Sequence, residues 1–98
     1  MKKTTYYRIT SATTTTLILK ESGISGSVNK ILISNQDDSS SNTIQLHLDT
    51  GSRQYVIVET IMPPRTTLVL DDNLAFDSSE FSLKITTSST ADINIIIK

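Results

Sequence analysis

Apolar and polar positions alternate with a period of two along much of this chain, most clearly between residues 42 and 59. Ile44, Leu46 and Leu48 alternate with Gln45, His47 and Asp49, which marks a strand with one buried and one solvated face. Asp49-Thr50-Gly51-Ser52 follows with turn chemistry, and Gly51 takes a positive φ without a steric penalty. The return segment, 53–59, carries Tyr55, Val56, Ile57 and Val58, the aromatic and β-branched residues that suit a pleated surface. The pattern predicts a β-hairpin with the rest of the chain laid beside it.

The same reading predicts eight strands in all, at 4–10, 13–20, 28–35, 43–49, 53–59, 66–71, 80–87 and 91–98. Turn signals separate them at the spacing expected of a sandwich or barrel. Ile31-Leu32-Ile33 is a continuous apolar run and predicts cover on both faces. Residues 21–27 hold two of the three glycines and read as the most flexible loop, 36–41 as a polar loop, and 72–79 as a further loop. Pro63 and Pro64 remove two ladder donors, so 60–65 reads as a bridge from one sheet to the other. The last strand puts Ile93, Ile95 and Ile97 on one face. That face must be covered, by the fold itself or by a neighbouring subunit. No stretch carries a helical period longer than a turn. The fold class predicted is all-β, an antiparallel two-sheet β-sandwich of about eight strands, jelly-roll or immunoglobulin-like.

Composition narrows the function classes. A chain of 98 residues supports one domain that buries roughly 65% of its unfolded surface; residues 1–10 are either an edge strand of it or an extended partner-binding arm. Cysteine is absent, which excludes disulfides, thiolate metal sites and cysteine nucleophiles. No apolar stretch of signal or membrane-span length is present, so neither export nor membrane insertion is expected. The net charge is −1, with the charges scattered singly, so nucleic acid is not an expected partner. Serine and threonine make up 29 of the 98 residues. They keep a sheet surface soluble without charge, or give a neutral surface for docking on another protein.

Candidate chemistry is sparse. His47 is the only histidine; a general base needs a nucleophile and an orienting acid beside it, and its place in the alternation predicts an exposed strand residue. Acidic residues gather at Asp37-Asp38 and at Asp71-Asp72 with Asp77 and Glu80. They lack the spacing of a calcium loop and read as turn residues. Gly23-Ile24-Ser25-Gly26-Ser27 lacks the ending of a phosphate loop and reads as a plain loop. Tyr6 and Tyr7 are adjacent and cannot both face one core, so at least one meets solvent or a partner. Neither enzymatic activity, nor a metal, nor a cofactor is expected.

The run Asn29-Lys30-Ile31-Leu32-Ile33-Ser34-Asn35, then Thr43 through Asp49, Tyr55-Val56-Ile57-Val58-Glu59, the bridge Ile61-Met62-Pro63-Pro64-Arg65 with Thr66 through Leu70, and the ending Ala91 through Ile97 together resemble small β-sandwich virion proteins of tailed bacteriophages, marine ones especially. The resemblance covers about residues 28–98. Members often carry Pro-x-Gly in the bridge, where this chain has Pro64-Arg65-Thr66. The resemblance implies a virion structural protein, most plainly a capsid decoration or cement protein that stabilises the shell, assembled in the host cytoplasm. Its partners would be the major capsid protein and further copies of itself, as a homotrimer or other homo-oligomer. The surfaces expected to carry these contacts are Tyr6, Tyr7 and Arg8, the bridge Pro63, Pro64 and Arg65, and the last strand through Ile93, Ile95 and Ile97. A head–tail neck, tail or fibre position is the alternative location. A carbohydrate-binding or adhesion module is the alternative of another class, and it predicts an exposed aromatic platform.

Overall fold

A computed structural model describes residues 5–20, 25–71, 74–77 and 80–98. Ten strands follow one another: β1 (Thr5–Ile9), β2 (Thr14–Ile18), β3 (Ser25–Val28), β4 (Ile31–Asn35), β5 (Asn42–Asp49), β6 (Gln54–Met62), β7 (Thr66–Leu70), β8 (Leu74–Asp77), β9 (Ser82–Thr87) and β10 (Ile93–Ile97). Their pairing is nested. β1 pairs with β10, β2 with β9, β3 with β8, β4 with β7 and β5 with β6, all antiparallel. The chain is thus one long two-stranded ribbon, and its tip is the β5–β6 turn.

Two further pairings, β10 with β4 and β5 with β9, wrap the ribbon onto itself. The result is a four-stranded sheet β1-β10-β4-β7 facing a four-stranded sheet β2-β9-β5-β6, with β3-β8 as a short third sheet. Both faces and both sheets are antiparallel, as the sequence predicts. Between the two alternatives that pattern left open, the nested order is that of a jelly roll; an immunoglobulin fold has a different arrangement of its two sheets.

At the ribbon's tip Thr50 N–H donates to the Arg53 carbonyl at 3.0 Å. Gly51 holds φ of 97° and donates its N–H to Asp49 Oδ1 at 2.8 Å. The expected glycine role is the observed one. Inward-pointing residues of β4, β5, β9 and β10 close a core of Ile33, Ile44, Leu46, Leu83, Ile85, Ile93, Ile95 and Ile97, all without solvent exposure. The register places Ile95 opposite both Tyr7 and Ile33, so the last strand is covered within its own chain.

The four direct connections between the two four-stranded sheets, β1–β2, β4–β5, β6–β7 and β9–β10, lie at the end opposite the tip, and buried polar side chains sit there because ladders end where strands change sheet. Asn35 Nδ2 donates to the Ser40 and Met62 carbonyls at 2.9 and 3.0 Å. Asn42 Nδ2 donates to the Ser89 and Ala91 carbonyls, both at 3.3 Å, while its Oδ1 accepts Ser88 N–H at 2.9 Å. The Thr87 hydroxyl donates to the Ser11 carbonyl at 2.7 Å. Each side chain ties one sheet's strand end to the loop that enters the other.

Three expectations need correction. Residues 28–35 are two strands, β3 ending at Val28 and β4 starting at Ile31. The loops expected at 21–27 and 72–79 contain β3 and β8, which pair with each other through Ser25–Val28 and Leu74–Asp77. Glycine, serine and four-residue length hid both strands, which are formed by ribbon pairing rather than by propensity. Residues 21–24, 72–73 and 78–79 lie outside the described part. Finally, the bridge is shorter than expected: β6 runs through Met62, and only Pro63-Pro64-Arg65 cross to β7 in the other sheet.

Arg65, in the bridge between β6 and β7, holds φ of 60°. A left-handed conformation costs a side-chain-bearing residue roughly 1–2 kcal/mol. Its side chain pairs with Asp38 at a highly exposed site, which returns little. Arg65→Gly is therefore expected to stabilise the protein by about 0.5–1 kcal/mol, after the added freedom of the unfolded chain is subtracted. Urea denaturation of the two proteins checks this.

Candidate interaction surface

The outward face of the first sheet carries one apolar row that crosses all four strands in register. Tyr6 lies opposite Ile96, Ile96 opposite Leu32, and Leu32 opposite Val69. At the usual strand separation this row is about 14 Å long. Tyr6 is 71% exposed and Val69 47% exposed, at its two ends. The next row on the same face is polar: Arg8, Asn94, Ser34 and Thr67. Arg8 grips Asp92 with two hydrogen bonds, Nε to Oδ1 at 3.1 Å and the second guanidinium nitrogen to Oδ2 at 3.2 Å. That contact fixes the β1 edge and sets a charged border beside the apolar row.

The second sheet turns a different face outward. Threonines 14 and 16 stand opposite Thr86 and Lys84, and Lys84 reaches Asp49 at 2.8 Å. The Lys84 hydrogen bond, reinforced by Gly51 N–H, holds the Asp49 carboxyl below the usual carboxylate range. Backbone N–H groups of Ser39 and Ser40 do the same for Asp37. Carboxyls with a depressed native pKa contribute stability above their unfolded-state value, and that contribution disappears as pH falls through the native one. Thermal midpoints measured from neutral pH downward should hold steady and then fall below about pH 4.

His47 departs from the reading of an exposed strand residue: it is 0% exposed, and neither ring nitrogen has a hydrogen-bond partner. The cause is a register shift between Leu46 and His47, where β6 inserts Ile57 as an extra residue. The bulge breaks the burial alternation and leaves Leu46 and His47 both buried. A buried polar ring without partners costs stability. His47→Leu, similar in volume and free of that cost, should raise the thermal midpoint by several degrees, whereas a ring held there by hydrogen bonds would make the substitution destabilising.

The expected interface residues divide. Tyr6 and Arg8 point outward on the first sheet. Tyr7 points inward, half-buried, and its hydroxyl donates to the Leu17 carbonyl, which joins β1 of one sheet to β2 of the other. Pro63 and Arg65 are exposed on the bridge and Pro64 is half-buried. Ile93, Ile95 and Ile97 are fully enclosed in the core and drop out of the candidate surface, because the alternation of β10 turns them toward the opposite sheet. Ile96 is the apolar residue of β10 that faces out, beside Asn94. Leu32, Ile96 and Val69 were missed as a set; the unbroken runs Ile31-Leu32-Ile33 and Ile95-Ile96-Ile97 carried the signal, since an apolar residue between two core residues must face outward.

Near the ribbon's tip, Lys20, Leu48, Thr50, Tyr55, Glu80 and Phe81 line an open groove of about 480 Å³. The Tyr55 and Phe81 rings meet edge-to-face with centroids 6.3 Å apart. Lys20 Nζ donates to the Thr50 carbonyl at 3.1 Å. Among the described residues, no three histidine or acidic side chains come together as a metal site.

The fold and these surfaces define a jelly-roll β-sandwich whose outward sheet faces and free strand edges offer binding area. A solved structure described as the crystal structure of PirA shares this architecture, with a TM-score of 0.59 and 12% sequence identity over 99% of this chain and 93% of that one. At that identity the likeness is one of fold. No protein-family model and no curated protein sequence matches the chain.

Proposed function

We propose that this protein is a virion structural component of a tailed bacteriophage, of the capsid decoration or cement type, which seats on the shell formed by the major capsid protein. The observation that carries the reading is the in-register apolar row Tyr6–Ile96–Leu32–Val69 on the outer face of the first sheet. It belongs to the segments that resemble phage virion proteins, apart from Tyr6. A row of apolar side chains with polar neighbours resembles the core-and-rim arrangement of a protein interface. A repeating shell multiplies weak contacts when each copy is linked to others. The hydroxyl-rich remainder of the surface keeps unbound copies soluble.

Co-sedimentation with intact capsids is the test. The wild-type protein should pellet with the shells, and Tyr6→Ser with Val69→Ser should leave most of it in the supernatant. Wild-type protein that stays in solution beside intact particles contradicts the reading, and recovery on isolated necks or tails alone would support the alternative location.

The groove at the tip favours a second reading, a carbohydrate-binding module. Tyr55 is half-exposed beside Phe81, with Lys20 and Glu80 in the same lining, and a sugar ring stacks on such aromatics while charged groups bind its hydroxyls. Glycan-array binding that is lost in Tyr55→Ala would establish it.

A further inference from the structure

We propose that protonation of His47 passes the Asp49 carboxylate from Lys84 to the imidazolium and frees the lysine, so that the outer face of the second sheet is a proton-operated switch. His47 stands opposite Lys84 in the β5–β9 register, and that pair of strands has no register shift. Directly opposite residues of antiparallel strands share a face. Lys84 is on the face turned away from the core, because its neighbours Leu83 and Ile85 fill the core. The His47 ring therefore lies on the outward side of the sheet, yet it is fully enclosed and both its nitrogens lack partners. Around it on that face stand Lys84 and Val56 across the two ladders, with Gln45 and Asp49 two residues either way along β5.

A neutral imidazole can occupy such a place, with its hydrogen bonds unmade. A cationic one cannot stay as it is. A buried charge needs a counter-charge and an acceptor, and the residue directly opposite, Lys84, is itself a cation, the unfavourable pairing across a ladder. Few charged groups surround the ring. β9 supplies Lys84 and β5 supplies Asp49. β6 supplies Glu59, which is exposed and stands opposite Gln45 in the next row, while the β6 residues opposite His47 and Asp49 are the uncharged Val56 and Gln54. Arg53 lies before β6, in the tip turn.

Asp49 is the acceptor within reach. Residues two apart on one face of a strand have Cα atoms about 7 Å from each other. The Asp49 carboxylate accepts Lys84 Nζ on Oδ2 and Gly51 N–H on Oδ1, each at 2.8 Å. After those two partners, positive charge on His47 also acts to favour the ionised carboxyl. In the exchange the ring takes one proton from solvent, its new N–H donates to Oδ2, and the Lys84 ammonium keeps its own protons. Lys84 leaves readily: its side chain is 27% exposed, and an ammonium that swings into water regains its hydration, which an enclosed ring cannot do. Asp49 stays ion-paired throughout, so the change is local and moves the thermal midpoint little. A free lysine then appears beside Thr16 and Thr86 on an otherwise hydroxyl-lined part of the sheet. Histidine is the side chain suited to such a trigger, since its charge changes near neutral pH. The switch requires no capsid and stands apart from the function proposed above.

Nuclear magnetic resonance on the full chain, from pH 8 to pH 5, tests the exchange. His47 is the only histidine, so its ring signals identify themselves. In the wild type the Lys84 Nζ signal should move toward that of the exposed Lys98, in step with the His47 ring, while the Asp49 carboxylate carbon stays in its ionised range. His47→Leu, expected above to fold more stably, should hold Lys84 at its ion-paired position across the whole range. A Lys84 signal that stays put while the ring takes up its proton, or that moves equally in His47→Leu, overturns the proposal. So does a ring that stays neutral down to pH 5 in the folded protein.

Discussion

Ile95→Ala should destabilise the protein by about 2–5 kcal/mol, a loss that consumes much of a small domain's total stability. Ile95 is fully buried and sits between Tyr7 on one neighbouring strand and Ile33 on the other. Removing three carbons there leaves a cavity beneath the second sheet that the rigid β4–β10–β1 pairing cannot close. Ile96→Ala, one residue on but facing outward, should cost well under half as much. Urea denaturation of both variants measures the difference. The midpoints should not depend on protein concentration in a range where the chain is monomeric, because the Ile95 pocket belongs to one chain. Equal losses at 95 and 96, or a strong concentration dependence for Ile95→Ala alone, would show that a partner subunit covers this face.

Asn42→Ala is expected to cost about 2–4 kcal/mol, although it removes only a small polar group from the end of a strand. Asn42 is 1% exposed. It supplies both donors to the Ser89 and Ala91 carbonyls and the acceptor for Ser88 N–H, so alanine strands three backbone groups in the corner where β9 crosses to β10. Asn94→Ala serves as the control. Asn94 Nδ2 makes one bond, to Asp92 Oδ1 at 3.1 Å, near the surface, and its loss should stay near 0.5–1.5 kcal/mol. Hydrogen exchange should show the Asn42 variant opening first at Ser88, the amide that loses its acceptor.

These two residues illustrate what was legible in the chain and what was not. The face of Ile93, Ile95 and Ile97 follows directly from a period of two, and so does the β5–β6 hairpin, because both depend on local alternation. What covers that face depends on pairing between strands far apart in sequence, which alternation does not encode. The nested ribbon was invisible for the same reason. Once the pairing is known, the hairpin at Gly51 becomes the tip of the whole ribbon rather than one hairpin among several. Asn42 and Asn35 read as ordinary strand boundaries; their buried role appears only where four chain crossings converge. His47 was misread because a bulge in the facing strand, set by the extra Ile57, breaks the alternation on which the reading relied. β3 and β8 are strands by partnership, and Ser25-Gly26-Ser27 alone carries no strand propensity.

The candidate surface was half legible. That Tyr6 and Tyr7 split between faces was legible, because adjacent residues of a strand must; which of the two faces out was not. The rest of the row was hidden within apolar triplets, where the middle residue is easily absorbed into the core. The exposure of Tyr55, Val56 and Ile57 on β6 was not legible, because its apolar residues match those of a buried strand. Only its position at a sheet edge shows that they are exposed.

The outer face of the β1-β10-β4-β7 sheet is the surface proposed to meet the capsid. Cryo-electron microscopy of capsids decorated with the purified protein tests it most directly. The account predicts density in which Tyr6, Ile96, Leu32 and Val69 lie against the shell, with the tip turn around Gly51 free of shell contact. Particles that carry the protein by the tip turn or by the opposite sheet would contradict it.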